Sequence, residues 1–237
     1  MNKRCWFPNF MTTANLFCGF IAVLFVVHAK EMGASQDGNP WFIWAALTIC
    51  LAALFDALDG RLARALRVAS SFGKELDSLA DVVSFGVAPA MLAYERSFQT
   101  ASMHVLWMGV CGLFVCCGAA RLARYNIVGT SGRFFTGMPI PAAGLTITGL
   151  ALFPSQLSTE LMAVVVLGLA FLMISTLRYP NPEHLIFDAP APIRLLFMVI
   201  FIVALVDTQD WFFLLPVSYM IYGLLLNLVE VLRPGEA

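Results

Sequence analysis

Residues 41–64 read WFIWAALTICLAALFDALDGRLAR, a long apolar run that ends in two aspartates and two arginines. The run from Trp41 to Phe55 carries no charge, and apolar residues continue to Ala63. A helix needs about 20 predominantly apolar residues to cross the hydrocarbon core of a bilayer. The stretch therefore predicts a membrane-spanning helix that carries acidic side chains near one end.

The composition of the whole chain indicates the same class of protein. Of the 237 residues, 60% are hydrophobic and 12% are charged, whereas soluble domains average about 25% charged residues. So few charges cannot cover a water-soluble globule, and disordered chains are polar and poor in aromatic residues. The net charge of −1 provides no basic field for nucleic acid. We therefore expect a polytopic membrane protein that does not bind nucleic acid.

Eight apolar segments are candidates for membrane crossing. They are residues 10–28, 41–63, 75–94, 103–123, 139–154, 159–177, 191–207 and 211–231. The segment at 139–154 is the shortest and begins at Pro139-Ile140-Pro141. No linker or low-complexity tract separates the segments. The pattern predicts an all-α bundle of about eight transmembrane helices that forms a single domain over residues 1–237.

The basic residues predict the orientation of this bundle, because cytoplasmic loops of membrane proteins are enriched in Lys and Arg. Eight spans place both termini on one side, and that side holds 12 basic residues against two on the other. The 12 are Lys3, Arg4, Arg61, Arg64, Arg67, Lys74, Arg121, Arg124, Arg133, Arg178, Arg194 and Arg233. The two are Lys30 and Arg96. We therefore expect both termini in the cytoplasm.

Charges are concentrated in residues 56–81, which hold nine of the 29 charged residues of the chain. Asp56 and Asp59 are three positions apart, and Asp77 and Asp81 are four apart, so each pair lies on one face of a helix. The connection at 67–72 is short, which favours two antiparallel helices that are neighbours. The four carboxylates are then expected to converge near the cytoplasmic interface.

Four converging carboxylates repel one another unless they are protonated or neutralised by cations. Such oxygen ligands suit Mg²⁺, Mn²⁺ or Ca²⁺, and the stretch contains no His or Cys for zinc. Gly60 and Gly73 permit close approach of a ligand or helix, and Arg64 and Lys74 can reach anionic oxygens. This combination is typical of phosphoryl transfer. The alternative is that Asp and Arg pair to anchor helix ends, although each membrane charge costs about 2.5–3.5 kcal/mol.

The spacing Asp56-x2-Asp59-Gly60-x2-Ala63-Arg64-x8-Gly73-x3-Asp77-x3-Asp81 resembles the signature of the CDP-alcohol phosphotransferase family. Four flanking segments, at 8–15, 84–90, 120–126 and 137–143, resemble those of the bacterial integral-membrane phosphatidylserine synthases within it. The resemblance implies transfer of the phosphatidyl group of CDP-diacylglycerol to L-serine, which gives phosphatidylserine and CMP. It also implies that the protein forms a homodimer in the bacterial inner membrane, where it contacts membrane lipids. The active site is then expected to face the cytoplasm.

The resemblance further implies roles for individual residues. Two divalent ions, Mg²⁺ or Mn²⁺, would be held by Asp56, Asp59, Asp77 and Asp81. Asp81 would also act as the catalytic base that takes the proton from the acceptor hydroxyl. The residues expected to bind the cytidine diphosphate or the substrate are Gly60, Ala63, Arg64, Gly73, Lys74, Asn15 and Thr12.

The acceptor site is less defined by the sequence. Serine is a zwitterion, so its carboxylate needs a cation, and Arg121, Arg124 and Arg133 could bind either that carboxylate or a lipid phosphate. The same arginines could equally be cytoplasmic anchors. Ser84 follows Asp81 by three positions, so it could contact the substrate or bond to its own helix backbone.

Two other functions are open at this point. An ion-coupled transporter also uses intramembrane acids, but it predicts broken helices in both halves of the chain, whereas these acids lie in one helical hairpin. Within the enzyme class, glycerol phosphate, inositol phosphate or choline could replace serine as the acceptor alcohol.

Overall fold

A computed structural model describes residues 6–32, 39–66, 70–99, 101–128, 134–152, 158–180, 195, 218–223 and 225. Within these ranges the chain is helical apart from its connections and one pair of three-residue strands. The predicted helical architecture is thus confirmed for this part of the chain. The strand pair was not predicted.

The helices follow one another along the chain. They are α1 (Trp6–Glu31), α2 (Pro40–Leu66), α3 (Ser71–Asp81), α4 (Ala88–Ala93), α5 (His104–Val128), α6 (Ile140–Ala151) and α7 (Thr159–Ile174). π-Helical turns at Val82–Val87 and Tyr94–Phe98 join α3 and α4 into one continuous helix over Ser71–Phe98, here called the third long helix. Strands β1 (Phe134–Thr136) and β2 (Arg178–Pro180) pair antiparallel, with Phe135 opposite Tyr179.

Four of the described helices are long and apolar enough to cross a membrane, over Phe7–Glu31, Pro40–Leu66, Ser71–Phe98 and His104–Ile127. They coincide with the first four predicted segments. Helices α6 and α7 have 12 and 16 residues, or about 18 and 24 Å at 1.5 Å per residue, which is less than a bilayer core of about 30 Å. The segments predicted at 191–207 and 211–231 lie outside the described residues, apart from 195, 218–223 and 225. The chain is an integral membrane protein, and its count of eight spans stays a prediction.

The packing of α1 against α2 is typical of helices in a bilayer. The buried face of the pair is dominated by small or β-branched residues, among them Ala22, Val26, Ala45 and Ile49, each fully buried. Large apolar residues point outward instead, including Phe17, Phe20, Leu51 and Leu54. Lipid tails are as apolar as these side chains, so small residues at the interface let the backbones approach closely.

Two glycines pack neighbouring helices against the middle of the third long helix. A Cβ atom at Gly19 of α1 would lie 2.7 Å from the Cα of Ser84, and one at Gly144 of α6 would lie 2.9 Å from the Cα of Phe85. These distances are too short for any side chain, so both helices need glycine at these positions. The contacts fix α1 and α6 against the π-helical turn at Val82–Val87, which follows Asp81.

Candidate functional site

The site forms where the end of α2 meets the start of α3. Ser70 caps the N-terminus of α3 in an extended conformation, and its Oγ accepts a hydrogen bond from the backbone N–H of Gly73 at 3.0 Å. Such a serine cap satisfies one of the free N–H groups of the first turn. It starts α3 shortly after α2 ends at Leu66, which brings the acidic faces of the two helices together.

Three of the four aspartates share one small volume. One carboxylate oxygen from each of Asp56, Asp59 and Asp77 lies within 4.8 Å of the other two. The predicted convergence of the two helices is confirmed for these three residues. Asp81 lies one turn further along α3, 6% exposed, where it interacts electrostatically with the other three.

Helix α1 supplies hydrogen bonds to two of these carboxylates. Thr12 Oγ1 donates to Asp59 Oδ2 at 2.7 Å, and Asn15 Nδ2 donates to Asp81 Oδ1 at 3.3 Å. Both donors are buried and stand three positions apart, on one face of α1. We predicted these residues as substrate contacts, and the structure places both of them against carboxylates.

The donor set fits a divalent cation. Asp77 Oδ1 and Asn15 Oδ1 are buried and have no hydrogen-bond partner among the described residues. Buried acceptors without a donor are costly, and a cation is the partner that carboxylate and amide oxygens take in hard-metal sites. The three converging carboxylates add the negative charge that such a cation neutralises. These residues could therefore hold Mg²⁺, Mn²⁺ or Ca²⁺.

A cavity of about 520 Å³ opens beside the carboxylates. Asp59 and Asp77 line it, together with six of the seven predicted nucleotide or substrate residues, namely Thr12, Gly60, Ala63, Arg64, Gly73 and Lys74. The seventh, Asn15, is not among the described lining residues, because its side chain is turned to Asp81. The volume lies within the range of about 300–1,000 Å³ usual for small-molecule sites.

The two glycines of the motif meet different surroundings. A Cβ atom at Gly60 would meet the guanidinium of Arg64 at 3.6 Å, whereas one at Gly73 would lie 3.1 Å from Asn9 Oδ1 and Ser70 Oγ. Gly73 thus allows the tight cap at the start of α3. Gly60 leaves space in the cavity beside the Arg64 side chain.

Several residues of the site were not predicted. The cavity is also lined by Pro8, Asn9, Ser70, Ser71 and Tyr125. Ser70 could have been found as the helix cap that precedes Gly73 by three positions. Tyr125 lies in the last turn of α5, within the segment at 120–126 that carries part of the family resemblance, but the sequence assigned it no role of its own.

Ser84 and Arg121 lie near Asp81. Ser84 is fully buried, and its Oγ donates to the backbone carbonyl of Asn15 at 2.9 Å, so it bonds to α1 rather than to its own helix. Arg121 is 6% exposed and interacts electrostatically with Asp81 and Tyr219. Of the two candidate acceptor arginines that the structure describes, Arg121 is the one that interacts electrostatically with an aspartate of the motif.

Arg124 lies elsewhere. Its guanidinium donates to the backbone carbonyls of Thr136, Met173, Ile174 and Ser175 at 2.9–3.3 Å. Those contacts join α5 to the end of α7 and to β1. Arg133, the third candidate, lies outside the described residues.

The fold and the site together define a class of protein: a helical membrane protein with a cation-fitting group of carboxylates beside a cavity that also holds an arginine and a lysine. The family model for CDP-alcohol phosphatidyltransferases matches residues 5–174, which is more than half of the chain. The chain therefore belongs to the CDP-alcohol phosphatidyltransferase family.

Relatives of the chain carry more specific names. An archaetidylserine synthase of Methanothermobacter thermautotrophicus is 38% identical over 180 residues, which cover 74% of this chain and 70% of the relative. A CDP-diacylglycerol–serine O-phosphatidyltransferase of Methanocaldococcus jannaschii is 37% identical over 226 residues, covering 95% and 96%. The enzyme of that name from Helicobacter pylori is 33% identical over 237 residues, covering 95% and 92%.

Proposed function

We propose that the protein is a phosphatidylserine synthase, which transfers the phosphatidyl group of CDP-diacylglycerol to L-serine and releases CMP. The observation that carries this proposal is the convergence of Asp56, Asp59 and Asp77. Two of these residues, Asp59 and Asp77, line a cavity that Arg64 and Lys74 also line. The choice of serine is supported by relatives named for serine transfer that align with nearly the whole chain.

The donor nucleotide would occupy the cavity. Arg64 and Lys74 offer cations to its diphosphate, and the space beside Gly60 accommodates the ligand. The acyl chains of the donor can stay in the bilayer, because the cavity lies at the ends of membrane-spanning helices.

The four aspartates would hold two divalent ions, Mg²⁺ or Mn²⁺. When bound, such ions neutralise the charge that develops on phosphate oxygens as a leaving group departs. Thr12 and Asn15 keep Asp59 and Asp81 in place by donating hydrogen bonds from α1. Hydrogen bonds to a charged carboxylate are stronger than those between neutral groups, so α1 fixes the site before the substrate arrives.

Asp81 would be the general base. The serine hydroxyl oxygen forms a bond to the β-phosphorus of CDP-diacylglycerol, the bond from that phosphorus to the CMP oxygen breaks, and the hydroxyl proton passes to the Asp81 carboxylate. The hydrogen bond from Asn15 goes to Oδ1 of Asp81, so Oδ2 is the oxygen that would accept the proton. Arg121, buried and within electrostatic reach of Asp81, would bind the serine carboxylate.

The membrane placement is part of the proposal: eight transmembrane helices in the bacterial inner membrane, both termini and the active site on the cytoplasmic side, and a homodimer as the assembly. The basic asymmetry of the sequence supports the orientation. The two basic residues expected on the far side both have partners within the protein: Lys30 pairs with Glu95 at 3.0 Å, and Arg96 donates to the carbonyls of Ala151 and Leu152.

The test is a panel of acceptor alcohols. Purified protein in lipid nanodiscs is given CDP-diacylglycerol and Mn²⁺ or Mg²⁺, with serine, glycerol phosphate, inositol phosphate or choline, and CMP release and the lipid product are measured. Of the four alcohols, we expect only serine to react, and it should give phosphatidylserine and CMP in equal amounts. Faster CMP release with another alcohol would reassign the acceptor, and no CMP release with any of them would refute the proposed reaction.

A further inference from the structure

The last turn of α5 is tied to the first two turns of α3 through Asn126. Its side-chain Nδ2 donates to Ser78 Oγ at 2.9 Å and to Glu75 Oε2 at 3.3 Å. Ser78 Oγ in turn donates to the backbone carbonyl of Lys74 at 3.1 Å. Because that donation uses the hydroxyl proton, the oxygen is left to accept from the amide.

Asn126 also contacts Lys74, through its backbone carbonyl instead of its side chain. Lys74 Nζ donates to this carbonyl at 3.1 Å and lies 5.5 Å from the ring centre of Tyr125. Asn126 is two residues from the end of α5, so its carbonyl has no intrahelical partner, and a cation at a helix C-terminus is favourable. Both Lys74 and Tyr125 line the cavity beside the carboxylates.

An ammonium group carries three N–H donors on a flexible stem. The carbonyl of Asn126 takes one of them, which restrains the Lys74 side chain at the cavity wall while two donors are left for another acceptor. Without the side-chain bonds from Asn126 to α3, the end of α5 would no longer be fixed at the distance at which its carbonyl meets Lys74. Glu75, the neighbour of Lys74, would also lose the amide that holds its carboxylate.

We infer that Asn126 is a positioning residue for the donor substrate: it holds the Lys74 ammonium where the diphosphate of CDP-diacylglycerol binds. This inference rests on the proposed function. Asn126 acts through Lys74 and not on the reacting atoms, so its loss weakens donor binding and leaves the turnover of bound substrate and the KM for serine nearly unchanged.

The test is a double-mutant cycle with Asn126→Ala, Lys74→Gln and the double variant, each in nanodiscs with Mn²⁺. The Kd for CDP-diacylglycerol is measured by equilibrium binding, and KM and kcat by CMP release. Removal of a single hydrogen bond typically weakens affinity by about 3- to 10-fold. We expect Asn126→Ala to raise the Kd by that factor, with kcat within about 2-fold, and the double variant to bind no more weakly than Lys74→Gln alone.

Two further variants give the experiment its controls. Ile127→Ala changes a side chain that is 85% exposed in the same turn of α5 and should bind as the wild type does. Asn126→Asp keeps the shape but replaces the donor by a carboxylate that repels Glu75 and attracts Lys74, so it should weaken donor binding more than Asn126→Ala. Ser78→Ala, which removes one of the acceptors of the amide, takes the place of any Asn126 variant that does not fold.

Additive losses in the double variant, or a loss confined to kcat or to the KM for serine, would overturn the role of Asn126. The proposed function fails in a different way, through a wild-type protein that releases no CMP with serine. The Kd measurements still report on Asn126 and Lys74 in that case, because they need no turnover.

Discussion

Thr12 Oγ1 donates a 2.7 Å hydrogen bond to Asp59 Oδ2, from the first long helix to a residue 47 positions further along the chain. Thr12 is 4% exposed and Asp59 is 5% exposed, so little of either side chain is open to water. The bond orients one of the three converging carboxylates and leaves its position dependent on α1. The site therefore depends on three helices: α2 and α3 supply the aspartates, and α1 supplies the hydrogen-bond donor.

Thr12→Val tests this dependence. The change keeps the shape of the side chain and removes the donor, and loss of a residue that orients a metal ligand typically costs about 10- to 100-fold in metal affinity or activity. We expect a titration of CMP release against Mn²⁺ to shift to higher concentration by that factor. Thr13→Val is the matched control, because the Thr13 hydroxyl is exposed and bonds to the Asn9 carbonyl of its own helix. Equal titration curves for Thr12→Val and the wild type would remove Thr12 from the site.

Removal of divalent ions should abolish the reaction. Converging carboxylates need a cation for charge balance, and chelation by EDTA is expected to stop CMP release, with recovery on addition of Mg²⁺ or Mn²⁺. Asp77→Asn should need more metal for the same rate, because it replaces a charged ligand by a neutral one. Asp77 Oδ1 is buried and has no hydrogen-bond partner among the described residues, so it is available to a cation. Glu160→Gln, an exposed acid in the first turn of α7, is the control. Full activity in EDTA would contradict the metal requirement.

Gly19→Ala should destabilise the protein through the contact between α1 and the third long helix. The added Cβ would lie 2.7 Å from the Cα of Ser84, and such overpacking typically costs about 1–3 kcal/mol. We expect a lower thermal midpoint in detergent, and lower activity because Asn15 and Asp81 meet at the same interface. Gly112→Ala, where a Cβ has no neighbour within 4 Å, should be as stable as the wild type. An unchanged midpoint for Gly19→Ala would mean that the two helices separate at little cost.

The orientation in the membrane can be tested with tags at both termini. The 12-to-2 asymmetry of basic residues predicts that both tags are cytoplasmic. Protease or thiol-reactive probes applied to intact cells should then reach neither tag, and both should become accessible after the cells are opened. A tag labelled from outside at either end would rule out the proposed arrangement of eight spans with cytoplasmic termini.

The first four long helices and the convergence of three of the four aspartates were predictable from the sequence, for physical reasons that act locally. Long apolar runs and acids at i, i+3 or i, i+4 are properties of single helices. The connection before Ser71 is short, so the acidic faces of the two helices must lie close together. The partners of the acids are set by tertiary packing instead. Nothing in the residues around Thr12 and Asn15 shows which carboxylates they face, and Gly19 reveals its role only once Ser84 lies against it.

The roles of the arginines were open for the same reason. Arg121 and Arg124 stand three positions apart at the end of α5, and both fit a cytoplasmic anchor or an anion site by sequence alone. In the fold, Arg121 lies near Asp81, while Arg124 donates to carbonyls at the end of α7. Long-range backbone acceptors of this kind leave no pattern in the sequence.

Asp81→Asn tests whether Asp81 acts as the general base or only as a metal ligand. Asp81 lies one turn beyond Asp77, and its Oδ1 accepts from Asn15. An amide oxygen at this position can accept the same hydrogen bond, so the geometry and the binding of CDP-diacylglycerol should persist, but an amide cannot take the hydroxyl proton. We expect donor affinity within a few-fold of the wild type and a single-turnover rate lower by about 10²–10⁴, the usual contribution of general-base catalysis. Near-normal turnover would eliminate Asp81 as the base, whereas equal losses of binding and turnover would make it a metal ligand only.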